Sequence, residues 1–223
     1  PQEMLFHNLT KGADYGEVFL EDWSWSTARL EDGAVRDIGA SCERGLGLRL
    51  LRREGGRVET FFGSAQDASP AAAARLRERL LPGAPGRGPV FSAARLAAPS
   101  CRLNPATVSL ERKLALLRDV DRAARAVSPL VRQVTAVYGD RRKDTRILNS
   151  DGADLCQKRI STNLTVSVVA GRDGMLQTGM EVIGAQRGYE VFDGEAALRA
   201  ARRAAVRAVA KLDAPKAKAG EMT

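Results

Sequence analysis

Few residues in this chain are of types that do chemistry. There is one histidine, His7, and three cysteines, Cys42, Cys101 and Cys156. A zinc site takes three or four Cys, His or carboxylate ligands at about 2.0 to 2.3 Å, and a catalytic one also needs a base for the polarised water. The positions here are scattered, with no CxxC pair and no second histidine near His7, so they offer no recognisable ligand set. Serines are plentiful, but none lies in a GxSxG turn and one remote histidine cannot be matched to any of them as a base. The adjacent carboxylates of Glu31-Asp32-Gly33 fall in a turn, which explains them without catalysis. Gly45-Leu46-Gly47-Leu48-Arg49 opens like a phosphate loop, yet it lacks the third glycine and runs into strand-like leucines, leaving no helix N-terminus to hold an anion. Its glycines read as places of close backbone packing. Trp23 and Trp25 could bind a sugar or a peptide, but at strand spacing with Phe19 they are expected in a core. No catalytic, cofactor-binding or metal-ligating residue follows from these patterns.

The elements around them are clearer. Ile160, Thr162, Leu164, Val166 and Val168 alternate with polar residues, a half-buried strand, and Thr145 to Asn149 is a shorter one before it. Asn149-Ser150-Asp151-Gly152 and Arg172-Asp173-Gly174 are turns. A third strand follows, with Leu176, Thr178, Met180 and Val182 on its expected apolar face. Two helices should cover this meander, which Val131 to Tyr138 joins. One has Leu110, Leu114, Leu117, Val120 and Ala124 at helical spacing, with Ser109 as cap. The other has Leu198, Ala201, Ala205, Val209 and Leu212, with Asp193 as cap. Earlier in the chain, Glu17 to Thr27, Ala34 to Ser41, Leu46 to Leu50 and Val58 to Phe62 read as strands. Asp67 to Pro70 then starts a helix that turns Leu76 and Leu80 inward.

The expected class is α+β, as two two-layer units in which an antiparallel sheet is covered by helices. The first spans residues 1–82. A proline- and glycine-rich change of composition at Pro82 to Pro89 opens a connector over 83–107, and the second unit spans 108–214. Residues 215–223 form a polar tail. Three unpaired cysteines favour a reducing compartment, with cytoplasm as the expectation, and no apolar run is long enough to span a membrane. The formal charge of +8 invites an acidic partner. However, the densest basic group, Arg199 to Lys211, fits the solvated face of a helix, and aromatic residues are too few for base stacking. Nucleic acid is therefore not the expected partner.

Four stretches carry a resemblance. They are Tyr15 to Leu20 with Leu30-Glu31-Asp32-Gly33; Arg44-Gly45-Leu46-Gly47-Leu48-Arg49; Asn149-Ser150-Asp151-Gly152; and Ala214-Pro215 with Ala219-Gly220-Glu221-Met222-Thr223. In order and spacing the chain resembles the N-terminal part of the TldD/PmbA family, also labelled modulator of DNA gyrase. The resemblance implies a cytoplasmic zinc metallopeptidase that degrades unfolded peptides as a dimer of related subunits, a homo- or heterodimer. It implies that the zinc, with its HExxxH helix and a further thiolate ligand, belongs to a C-terminal catalytic domain after the tail motif. On this reading the chain is a non-catalytic region, inactive alone, which contributes to dimerisation and to the walls of a peptide path. The alternatives are a basic nucleic-acid-binding module linked to gyrase modulation and a scaffold with no ligand.

Overall fold

The computed structural model describes residues 9–10, 12–83, 92–95, 101–215 and 220. Its strands are β1 (Tyr15–Glu31), β2 (Ala34–Glu54), β3 (Arg57–Ala65), β4 (Ser92–Arg95), β5 (Val131–Asn149), β6 (Ala153–Arg172) and β7 (Met175–Ala185). Its helices are α1 (Pro70–Leu80), α2 (Leu110–Arg125) and α3 (Ala196–Lys211). The strands pair in the order β3-β2-β1-β5-β6-β4, and β7 also pairs with β6. The β2–β3 and β6–β7 ladders are antiparallel, whereas β4 lies parallel to Ala153–Cys156 of β6. The class is thus α+β, a sheet with helices.

The turns form where the sequence puts them. Asp32 and Gly33 both have positive φ, 50° and 73°, the geometry that joins two twisted strands by two residues. Asp173 and Gly174 repeat it at 51° and 79°. At the β5–β6 turn, Asn149 Oδ1 accepts from the backbone N–H groups of Asp151 and Ala153. Two expectations change. The strands anticipated at Val131–Tyr138 and Thr145–Asn149 are one strand, β5. The connector expected over 83–107 contains β4 and a short 3-10 turn at Pro105–Thr107; its residues 84–91 and 96–100, and most of the tail, lie outside the described residues.

The chain divides into two compact units, each drawn from three separated stretches. Successive segments had been expected, but β1, β2, β5 and β6, at 17, 21, 19 and 20 residues, each contribute to both. The first unit takes residues 1–25, 41–99 and 141–159. Its core is Val18, Leu46, Leu48, Leu50, Leu76 and Leu148, with α1 on one sheet face. Ser69 caps α1 by accepting from Ala72 N–H at 3.2 Å, and Pro70 occupies the first turn. Trp23 and Trp25 depart from the core expectation. Val18 and Leu20 of β1 face the apolar cluster, so residues of the other parity point away, and both tryptophans are half-buried outside the cores.

The second unit takes residues 26–40, 100–140 and 160–223. Leu117, Val120, Val134, Tyr138, Leu164, Val166 and Val168 form its core with an alanine stripe of α3. Ser109 caps α2, accepting from Arg112 N–H at 3.3 Å. Asp193 does not cap α3. Gly194, at φ 68°, turns the chain between them, so Glu195 holds the cap position without a side-chain bond and Asp193 pairs with Arg102. The apolar face assigned to β7 is also reversed. A Cβ on Gly179 would lie 2.0 Å from the Ala204 carbonyl oxygen and 2.7 Å from Ala208 N, so α3 presses its backbone against the odd-numbered face. Leu176, Met180 and Val182 are left 66%, 55% and 57% exposed.

Candidate functional site

One concavity of the first unit follows from that same parity on β1. Opposite α1, a trough of about 660 Å³ is lined by Phe19 and Trp23 of β1, Cys42, Gly45 and Gly47 of β2, and Ser64 of β3. A second hollow of about 330 Å³ shares Phe19, Gly47 and Ser64 and extends to Arg49 and Phe62. In the β2–β3 register, Gly47 faces Ser64 and Arg49 faces Phe62. The floor is low because Gly47 has no side chain. Packing does not require that glycine, since an added Cβ would meet only Phe19 Cβ at 3.8 Å and the Gly63 carbonyl at 4.0 Å, ordinary contacts.

The rim carries charges of both signs, several of them paired. Lys143 Nζ lies 2.5 Å from Glu21 and 5.9 Å from the centroid of the Phe19 ring, and Arg44 donates to Asp22. The Arg141 guanidinium sits 5.4 Å from the Trp23 ring centroid. Such a surface can take apolar side chains of an extended chain without selecting a charge. The aromatic edge of the trough was missed in the sequence, though Phe61-Phe62 signalled it: neighbouring strand residues face opposite ways, so one ring had to leave the core. Phe61 packs inward and Phe62 is 78% exposed.

A second concavity of the first unit, about 620 Å³, is lined by Leu20, Ala68 and Cys156 together with ionic side chains. Several of these are paired, Arg44 with Asp22 within the lining, and Asp144 and Arg146 with Arg142 and Asp154 outside it.

In the second unit, four side chains of catalytic type meet. Asp140 Oδ2 accepts from Lys113 Nζ at 2.8 Å, Ser26 Oγ at 2.6 Å and Tyr138 OH at 2.8 Å, and Lys113 Nζ also lies 3.0 Å from Ser26 Oγ. A nucleophilic serine would need a free base to take its proton. Here the ammonium is committed to the carboxylate, the serine proton points at the same oxygen, and the Lys113 and Asp140 side chains are each 9% exposed. The cluster is a clasp between β1, β5 and α2. Burial, and after it the Asp140 hydrogen bond, push the Tyr138 phenol far above its ordinary range. Asp32 is likewise structural, accepting from Val134 N–H and pairing with Arg125.

The thiols do not converge. His7 lies outside the described residues. Cys42, Cys101 and Cys156 are free, and among the described residues no three His, Cys, Asp or Glu side chains are grouped to hold a metal. Burial, and then the Glu190 carboxylate, raise the Cys101 thiol, which disfavours the thiolate a metal would bind. Nor is any helix among the described residues long and apolar enough to cross a membrane.

Residues 103–212 match the family profile of the PmbA/TldA metallopeptidase central domain. A Haemophilus influenzae protein named metalloprotease TldD homolog is 27% identical over 227 residues, covering 95% of this chain and 46% of that protein. The chain belongs to the TldD/PmbA family. It spans about half the length of this curated TldD relative. TldE from Thermococcus kodakarensis has the same fold, with a TM-score of 0.71 at 12% identity over 88% of this chain and 44% of that one. A Thermotoga maritima protein named as a modulator of a DNA gyrase gives 0.69 at 17% identity over 87% and 44%.

Proposed function

We propose that this TldD/PmbA chain is the non-catalytic, N-terminal region of a cytoplasmic zinc metallopeptidase. It forms part of the wall along which an unfolded peptide travels, and part of the contact with a related subunit. The observation that carries this reading is the open, aromatic-sided trough of the first unit, in a chain whose family is one of metallopeptidases. Its aromatic and glycine residues offer binding surface. The catalytic zinc is assigned to the rest of the protein, as the family resemblance implies. Subunit contact is supported by the second unit, where Leu176, Met180 and Val182 leave an apolar strip of sheet uncovered.

Gyrase modulation through DNA binding is less well supported. Arg203 and Arg207 of α3 both pair with Glu181, and Arg202 pairs with Glu195, so the helix's cations are largely engaged. The test of the main reading is whether the chain holds an unfolded peptide in the presence of a chelator and leaves it intact.

A further inference from the structure

A sheet edge presents unpaired N–H and C=O groups, and proteins usually blunt such edges with lysine, arginine or a covering element. β7 is treated in this way. It pairs with β6 on one side, while Lys211 Nζ donates to the Thr178 carbonyl at 2.7 Å and Arg207 Nη1 to the Met180 carbonyl at 3.3 Å. Two cations of α3 thus occupy the acceptors that an incoming strand would need.

β3 is different. It ends the strand order, pairs with β2 through all nine of its residues, and is exposed or half-buried along its whole length. On the face away from α1 it carries Val58, 60% exposed, and Phe62, 78% exposed. Arg52, opposite Glu59 in the ladder, is turned to that carboxylate instead of to the β3 backbone. This strand, with Val58 and Phe62 exposed on one face and no guard among the described hydrogen bonds, borders the glycine-floored trough.

We propose that β3 is the docking edge for the peptide: an extended polypeptide adds to it as a further strand and lays an apolar side chain across Phe62 into the hollow over Gly47. The inference rests on the peptide-handling reading and gives it a place. Main-chain hydrogen bonds supply sequence-tolerant affinity, and the trough prefers an aromatic or branched aliphatic residue. The rim mixes both signs, Glu21 with Lys143, Asp22 with Arg44, and Glu43 and Arg49 besides, so no single sign selects a partner. That suits an unfolded chain of varied sequence better than one complementary protein surface.

The test uses a fluorescent nine-residue peptide of Val, Thr and Phe, and two versions N-methylated at alternate residues, so that each removes the donors from one edge. Binding to the intact chain is followed by anisotropy. One methylation register is expected to weaken binding about tenfold or more while the other does not. Phe62→Ala and Gly47→Val, the first at an exposed site and the second filling the hollow, should weaken the unmodified peptide to a similar extent. Arg207→Ala, on the guarded edge, should leave it within about twofold. The methylated peptides act on the unaltered protein, so that arm does not depend on the folding of a variant. Equal binding by all variants and both methylated peptides would overturn the β3 assignment and leave peptide handling standing. No binding by the unaltered chain would overturn both. Concentration-dependent self-association abolished by Phe62→Ala would make a second copy the occupant, and would also overturn the proposal.

Discussion

Asp140 gathers three donors on one oxygen inside the second unit, and the consequence is a measurable dependence on each of them. Lys113→Met would leave the buried carboxylate without its counter-charge, a loss of about 3 to 5 kcal/mol. Adding Asp140→Asn removes the stranded charge, so the double variant should recover much of that loss; urea unfolding of both decides it. Tyr138 makes a prediction in pH. Its folded-state pKa lies above the unfolded value near 10, so its contribution is complete below about pH 10 and is lost as pH rises from there toward the folded value. Above pH 10 the unfolded chain releases a proton that the folded chain keeps, a slope of about 1.4 kcal/mol per pH unit. Tyr138→Phe should remove one such proton from the alkaline loss of stability, leaving the smaller shares of Tyr15 and Tyr189. None of this was legible in the sequence, because Ser26 and Lys113 lie far along the chain from Tyr138 and Asp140, and the four form no motif. The tryptophans were misread for a related reason: alternation identifies two faces, and only the partner element decides which one is buried.

At the level of elements, the legible features were those specified locally. Asp32-Gly33 and Asp173-Gly174 carry the positive φ that their turns need, and Ser69 and Ser109 cap the helices they precede. The face of β7 was not legible. Leu176, Met180 and Val182 look like a core stripe, yet α3 chose the side where Gly179 and the alanines at 204 and 208 let two backbones approach. Gly179→Ala should therefore force α3 off the sheet and cost about 1 to 3 kcal/mol or more. At Gly184→Ala the new Cβ would be 3.5 Å from Asn163 Cβ, an ordinary contact, and stability should change by less than about 1 kcal/mol. Thermal and urea unfolding of the pair, side by side, checks both. Equal losses would show that close helix approach is not what sets the face of β7.

Over the whole molecule, the sequence conveyed the family and the α+β class but not how the units are composed. Residues 26–40 join the second unit although they precede most of the first, because four strands are long enough to serve both. No local pattern reports which half of a 20-residue strand belongs to which core. The candidate site was hidden in the same way. Phe19, Gly47 and Phe62 come together only through pairing among β1, β2 and β3, and none has a catalytic residue type to mark it. On the proposed reading this chain holds peptide and does not cut it. The most direct measurement is the binding of a fluorescent unfolded peptide to the purified chain, with excess chelator and again with added zinc, and mass spectrometry of the peptide afterwards. Binding should be the same under both conditions, with the peptide recovered whole. Zinc-dependent cleavage abolished by the chelator, or no binding under either condition, would contradict this reading.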